Sequence, residues 1–130
     1  MHLQDDTDIL QLSIGGEAGV PVVHAVGDID LSTTPMLRTE MEKQIDSIPK
    51  DDILRYIVLD MREVPFIDSA GLALLVEIRK RFHNVCRLAV LISASTQPER
   101  VLRLGRFDSF LIIGYGFDEL RAAGVAASAA

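Results

Sequence analysis

The stretch that most constrains this chain is residues 56–81, YIVLDMREVPFIDSAGLALLVEIRKR. It opens on Tyr56-Ile57-Val58-Leu59, an apolar run of the length of a fully buried strand. It closes on Leu72, Leu75, Val76, Ile78 and Phe82, whose three- and four-residue spacing places them on one broad helical face. Between the two stands Asp68-Ser69-Ala70-Gly71, at the expected first turn of the helix. The first N–H groups of a helix lack internal partners and must meet a cap, water or an anion. A serine at that place can be a helix cap, a nucleophile or an acceptor for a phosphoryl group.

The chain of 130 residues is one domain in length and long enough to bury a core. Its 48% hydrophobic and 25% charged composition is that of a globular protein. A net charge of -6 and a pI near 4.9 argue against an extended nucleic-acid footprint, so no direct nucleic-acid partner is expected. The lone Cys86 forms no internal disulfide and is expected as a small buried hydrophobe near a strand start. There is no signal-type N-terminus and no apolar run long enough to span a bilayer, so a cytoplasmic address without membrane contact is expected.

Residues 1–8 are polar and expected to fray, with one folded domain from 9 to 123 and a small-residue tail, 124–130, expected to be mobile. Residues 9–14 partly alternate and 22–26 are apolar; with Gly15 to Gly19 as the turn they predict an antiparallel hairpin. Gly27-Asp28-Ile29-Asp30-Leu31-Ser32-Thr33-Thr34-Pro35 then leads into a helix over about 34–47. Ser32, Thr33 or Thr34 can cap it, and Pro35 suits its first turn because a missing N–H is harmless there. Met36, Leu37, Met41 and Ile45 are expected inward. Further on, 87–92 reads as a strand and 97–104 as a short helix with Val101, Leu102 and Leu104 inward. A last strand over 110–113 precedes an amphipathic piece over 117–123. The order β-β-α-β-α-β-α-β-α predicts an α/β fold, a mixed sheet with parallel crossovers and helices on at least one face.

Phe66-Ile67-Asp68-Ser69-Ala70-Gly71-Leu72, after a buried strand ending in Asp60, resembles the signature of the STAS domain, and more narrowly of bacterial anti-sigma-factor antagonists. Gly27-Asp28-Ile29-Asp30 running into Ser32-Thr33-Thr34-Pro35 resembles that family's loop before its first helix. The resemblance covers about residues 9–123 and implies a STAS-like mixed sheet with its helices mainly on one face. It implies a non-enzymatic switch, without cofactor or metal, whose unmodified form binds an anti-sigma factor with serine-kinase activity and so releases a sigma factor. It further implies that phosphorylation of Ser69 ends that binding and that a metal-dependent serine/threonine phosphatase restores it. Asp28, Asp30, Ser32, Thr33, Thr34, Asp68, Ala70, Gly71 and Leu72 are the implied partner-binding residues. Ala70 stands where many relatives carry a second small hydroxyl, which would leave Ser69 the single acceptor of the turn.

Other functions are weighed against this one. STAS domains also serve without phosphorylation, as subunits of transporter or stress-signalling complexes. A nucleotide-binding STAS module is a further alternative, since a helix N-terminus can hold a phosphate, although no glycine-rich phosphate loop is present. A hydrolase triad would need a G-x-S-x-G elbow and a histidine placed beside Ser69; neither is visible. His24 within its apolar strand reads as a satisfied or half-exposed strand residue, and His2 and His83 lack a metal-ligand spacing. Arg79-Lys80-Arg81 reads as a solvated helix end favoured by the C-terminal dipole, with membrane or phosphate binding as the alternative.

Overall fold

A computed structural model describes residues 9–50 and 55–127. The expectation of a frayed N-terminus falls on residues outside the described ones. The elements are β1 (Gln11–Glu17), β2 (Val20–Val26), α1 (Thr34–Asp46), β3 (Arg55–Glu63), α2 (Ser69–Phe82), β4 (Cys86–Leu91), α3 (Gln97–Leu104), β5 (Ile112–Gly114) and α4 (Phe117–Ala122). This is the expected order. The five strands form one sheet in sequence order, with β1 antiparallel to β2 and every later pair parallel.

Both faces of the central strands are covered, which is why they read as continuous apolar runs. Val23 and Ala25 of β2, Ile57, Leu59 and Met61 of β3, and Leu88 and Val90 of β4 face the larger core. Leu37, Met41 and Ile45 of α1, Leu74, Leu75 and Ile78 of α2, and Leu102 of α3 close over them. The alternate residues Val22, Val58, Ala89 and Leu91 face a smaller core sealed by Leu120 of α4 and by Val125. Of the described helices, α1, α2 and α3 thus lie on one face and α4 on the other.

Several local expectations are corrected. The hairpin turn is only Ala18-Gly19, both with positive φ, and β1 continues through Gly15 and Gly16, opposite Val22 and Pro21. A two-residue turn with left-handed backbone at both positions matches the twist of a hairpin, so no longer loop is needed. Met36 is 41% exposed and Leu104 is 78% exposed, because each lies one position beyond the stripe its helix turns to the core. The last strand starts at Ile112 rather than 110; Phe107–Ser109 form a 3₁₀ turn and Phe110 stacks beside Phe107 with ring centroids 5.1 Å apart. Past Gly124, Val125 is buried and its N–H bonds the Leu120 carbonyl, so part of the expected tail joins the smaller core.

Candidate functional site

The site forms where two loops leave the same end of the sheet. Pairing of β2 with β3 slips between His24 and Val26, and Gly27, at φ 117°, turns the chain while its N–H bonds the Glu63 carbonyl. A Cβ there would come within 3.2 Å of the Leu10 backbone, so glycine fits both the dihedral and the space. Released from the sheet, Ile29 pairs again in a single parallel bridge with Ile67. Ile29 N–H donates to the Phe66 carbonyl at 2.9 Å and Asp68 N–H to the Ile29 carbonyl at 3.0 Å. The two signatures of the sequence are therefore stitched together by backbone.

Asp30 organises the first loop. Its Oδ1 accepts from Ser32 N–H, the Ser32 hydroxyl, Thr33 N–H and the Thr33 hydroxyl at 2.8–3.2 Å. The Ser32 hydroxyl holds the Asp30 carboxyl below its ordinary value, against a smaller opposing effect of desolvation and with further help from Thr33. Thr33 occupies the N-cap position of α1, but its hydroxyl takes no cap bond there. Its single hydrogen is shared between Asp30 Oδ1 and the nearer Asp28 carbonyl, at 3.0 Å, and its oxygen accepts from Asp30 N–H. No side chain caps α1: Thr33 stands at the N-cap position without a cap bond, Asp30 Oδ1 holds the turn just before it, and Pro35 follows in the first turn.

Asp68 organises the second loop. As the N-cap of α2 it accepts Gly71 N–H on Oδ1 at 3.0 Å, and on Oδ2 it accepts Leu31 N–H across the gap at 3.1 Å. Capping falls to Asp68, not to Ser69, which is the first residue of the helix. Ser69 is exposed, and among the described residues none hydrogen-bonds its hydroxyl. Gly71 is needed for contact: a Cβ would lie 2.5 Å from Ile67 Cγ1 and 2.8 Å from Ile29 Cγ2.

The two carboxylates, Ser32, Ser69 and Ala70 remain open to solvent or half-buried, with Asp28 beside them. Thr33, Thr34 and Gly71 are buried and shape the loops from within, and Leu72 is half-buried against the larger core. Three residues that the sequence did not single out belong to the site. Leu31 is 76% exposed and Phe66 is 43% exposed, an apolar pair flanking the acidic loops. Gln97, on α3, accepts Ile67 N–H on its Oε1 and donates from Nε2 to the Ile67 carbonyl, both at 2.9 Å. An apolar residue inside a turn, as Leu31 is between Asp30 and Ser32, was the available signal for the first. Nothing in the sequence marks Gln97.

No histidine reaches this end of α2 among the described residues. His24 Nδ1 lies 3.0 Å from Asp60 Oδ2 on the sheet face that packs against α4, and His83 follows the far end of α2. Burial pushes the Asp60 carboxyl up, but hydrogen bonds from Arg62 and His24 outweigh it, and the group sits below its ordinary value. No group of three side chains suited to a metal occurs among the described residues. Nor is any of their helices long and apolar enough to cross a membrane.

Chemically, the arrangement is a rigid two-loop platform carrying one free hydroxyl at a helix N-terminus, framed by carboxylates and two exposed apolar side chains. That fold and platform define a STAS domain. A STAS family model matches residues 11–123, and the chain belongs to that family. The fold is similar to that of an anti-sigma factor antagonist from Mycobacterium paratuberculosis, at 23% identity and a TM-score of 0.76 over 88% of this chain and 94% of that one. It is also similar to the anti-sigma factor antagonist SpoIIAA in its unphosphorylated form (16% identity, TM-score 0.60, 90% and 98% of the two chains). The phosphorylated form of the Bacillus cell fate determinant SpoIIAA aligns with a TM-score of 0.56 at 14% identity, over 88% and 98%.

Proposed function

We propose that this protein is an anti-sigma-factor antagonist: a non-enzymatic binding protein that engages an anti-sigma-factor serine kinase when Ser69 is unmodified and lets go when Ser69 is phosphorylated. The observation that carries the reading is the position of Ser69, exposed and unbonded at the first residue of a helix whose cap is another residue. Because Asp68 does the capping, a phosphoryl group on Ser69 removes no bond that holds the fold. The free N–H groups and dipole of α2 favour an anion there. The same group adds a charge of about -1.5 to -2 next to Asp68. Repulsion between unit charges at ~4 Å is about 1 kcal/mol in water and ~4 kcal/mol in a partly desolvated contact. A partner that covers Leu31, Phe66 and a neutral serine would lose on the order of a hundredfold or more in affinity.

The docking surface in this reading comprises Asp28, Asp30, Leu31, Ser32, Phe66, Asp68, Ser69 and Ala70, with Thr33, Thr34, Gly71 and Leu72 supporting it from beneath. A metal-dependent phosphatase would reverse the modification. Phosphopeptide mass spectrometry on the protein from its own cells, with Ser69→Ala as control, tests the switch. Phosphate at Ser69 that varies with growth condition is expected. Good coverage of the peptide with no phosphate in any condition would replace the switch by a constitutive binding subunit.

A further inference from the structure

At the end of the sheet away from Ser69, α2 runs out through Arg79-Lys80-Arg81-Phe82 and β4 begins. A cleft of about 90 Å³ lies there, lined by Arg79, His83, Arg87, Leu88, Phe110 and Ile112. It adjoins an apolar hollow of about 150 Å³ along α2 that shares Arg79 and Phe110 and adds Val76 and Lys80. The Arg79 guanidinium stands 5.7 Å from the Phe110 ring centroid, a cation–π contact that holds it at the seam of the two. His83 Nδ1 is 3.1 Å from the Lys80 carbonyl, which orients the ring and leaves Nε2 for another partner.

The charges of this cleft find no carboxylate among the described residues. Arg38, Arg62, Arg81, Arg103 and Arg121 each pair with a carboxylate. Among the described residues no carboxylate pairs with Arg79, His83 or Arg87. In a chain of net charge -6, Arg79, His83 and Arg87 gathered around one concavity without acidic partners among the described residues present an anion-sized opening. Guanidinium groups match the oxygens of a phosphate by two parallel hydrogen bonds. The apolar floor of Leu88, Ile112 and Phe110, continued by Val76, suits a flat or hydrocarbon body joined to that anion.

We propose that this cleft binds a phosphate monoester carrying an apolar or aromatic body, either free in solution or as a lipid headgroup. The site lies a full length of α2 from Ser69 and does not depend on the function proposed there. The test is a titration of the ¹⁵N-labelled whole chain with phenyl phosphate and with inorganic phosphate. A parallel measurement is sedimentation with phosphatidylcholine vesicles containing or lacking phosphatidic acid. Phenyl phosphate is expected to shift the amides of Arg79, His83, Arg87 and Phe110 saturably, at lower concentration than inorganic phosphate does. Arg79→Gln and Arg87→Gln should each weaken binding by about tenfold; neither side chain holds an ion pair in the described fold, so Arg87→Gln should leave Tm unchanged and Arg79→Gln should lower it only slightly, by loss of the Phe110 contact. Ser69→Asp should leave it unaltered. Vesicle binding that requires phosphatidic acid and both arginines assigns the phosphate to a lipid; saturable phenyl phosphate binding without it assigns a soluble ester. The proposal is overturned if neither probe acts on the cleft, if the double variant Arg79→Gln/Arg87→Gln binds as the parent does, or if the shifts centre on residues 69–72.

Discussion

Asp68 accepts the backbone N–H of Leu31, 37 positions earlier in the chain, with one carboxylate oxygen while the other caps its own helix. A single side chain thereby sets both the start of α2 and the distance between the two loops of the site. Leu31, exposed on one side of the platform, is held in register with Ser69 through it.

Asp68→Ala should remove both bonds at once. Loss of a helix cap alone costs about 0.5–2 kcal/mol, so Tm should fall by roughly 2–10 °C in a chain of this size. Urea unfolding of the variant measures it. Unchanged stability would mean that the cap and tether contribute nothing in solution.

Gly71→Ala puts a helix-favouring residue into a helix, and by propensity alone it should stabilise by about 1 kcal/mol. The contact argument predicts the opposite sign. A Cβ 2.5 Å from Ile67 and 2.8 Å from Ile29 forces the bridge between the loops apart, and overpacking of this kind costs about 1–3 kcal/mol. The sign of the change in denaturation midpoint decides between the two.

Gln97→Ala leaves both backbone groups of Ile67 without their side-chain partner. Global stability should drop by about 1–3 kcal/mol. Amide exchange at Ile67 and Asp68 should rise more than exchange at Ile57 or Leu59 in the sheet centre. Uniform acceleration across the chain would refute a local role for Gln97.

Asp60 titrates in the folded protein below its ordinary value near 3.8, burial being outweighed by its bonds with Arg62 and His24. Its stabilising contribution is therefore complete above the unfolded value and disappears as pH falls through the lower, folded one. Asp60→Asn should be less stable than the parent at pH 7, with the gap narrowing below about pH 4. Parallel stability curves for the two proteins across that range would contradict the assignment.

Cys86, first residue of β4, is buried, and burial pushes its thiol up to about 11. Modification by a thiol reagent at pH 8 should be slow in the native protein and fast in denaturant. Rapid native labelling would show that the start of β4 opens readily.

Much of the fold was legible because each element carried its own local cause. The apolar run 56–59 and the three- and four-residue spacing after Leu72 specify a buried strand and a helix with little help from elsewhere. Met36 and Leu104 mislead because hydrophobicity alone does not say where the stripe of a short helix ends. The glycines after Ile14 suggest a long turn, but an edge strand tolerates Gly15 and Gly16 where, unlike Leu12, no side chain is needed for packing. Phe110 fell outside the last strand because its ring packs beside Phe107 instead of continuing the ladder.

For the site, the sequence by itself determined the candidate serine, its carboxylate neighbour and the glycine that follows, since all lie within four consecutive residues; that the serine hydroxyl stays free, because Asp68 does the capping, was decided by the structure. The sequence also determined that Gly27 to Pro35 forms a loop before a helix. Only the tertiary structure decided that these loops meet: the Ile29–Ile67 bridge, the Asp68–Leu31 bond and the Gln97 clamp join residues 30 to 38 positions apart. It also decided that Asp68, and not Ser69, caps α2, and that no side chain caps α1, Asp30 instead holding the turn before it. The physical reason is range. Helical periodicity and glycine dihedrals act between neighbours and leave a pattern in the chain, whereas one hydrogen bond closing a long loop leaves none.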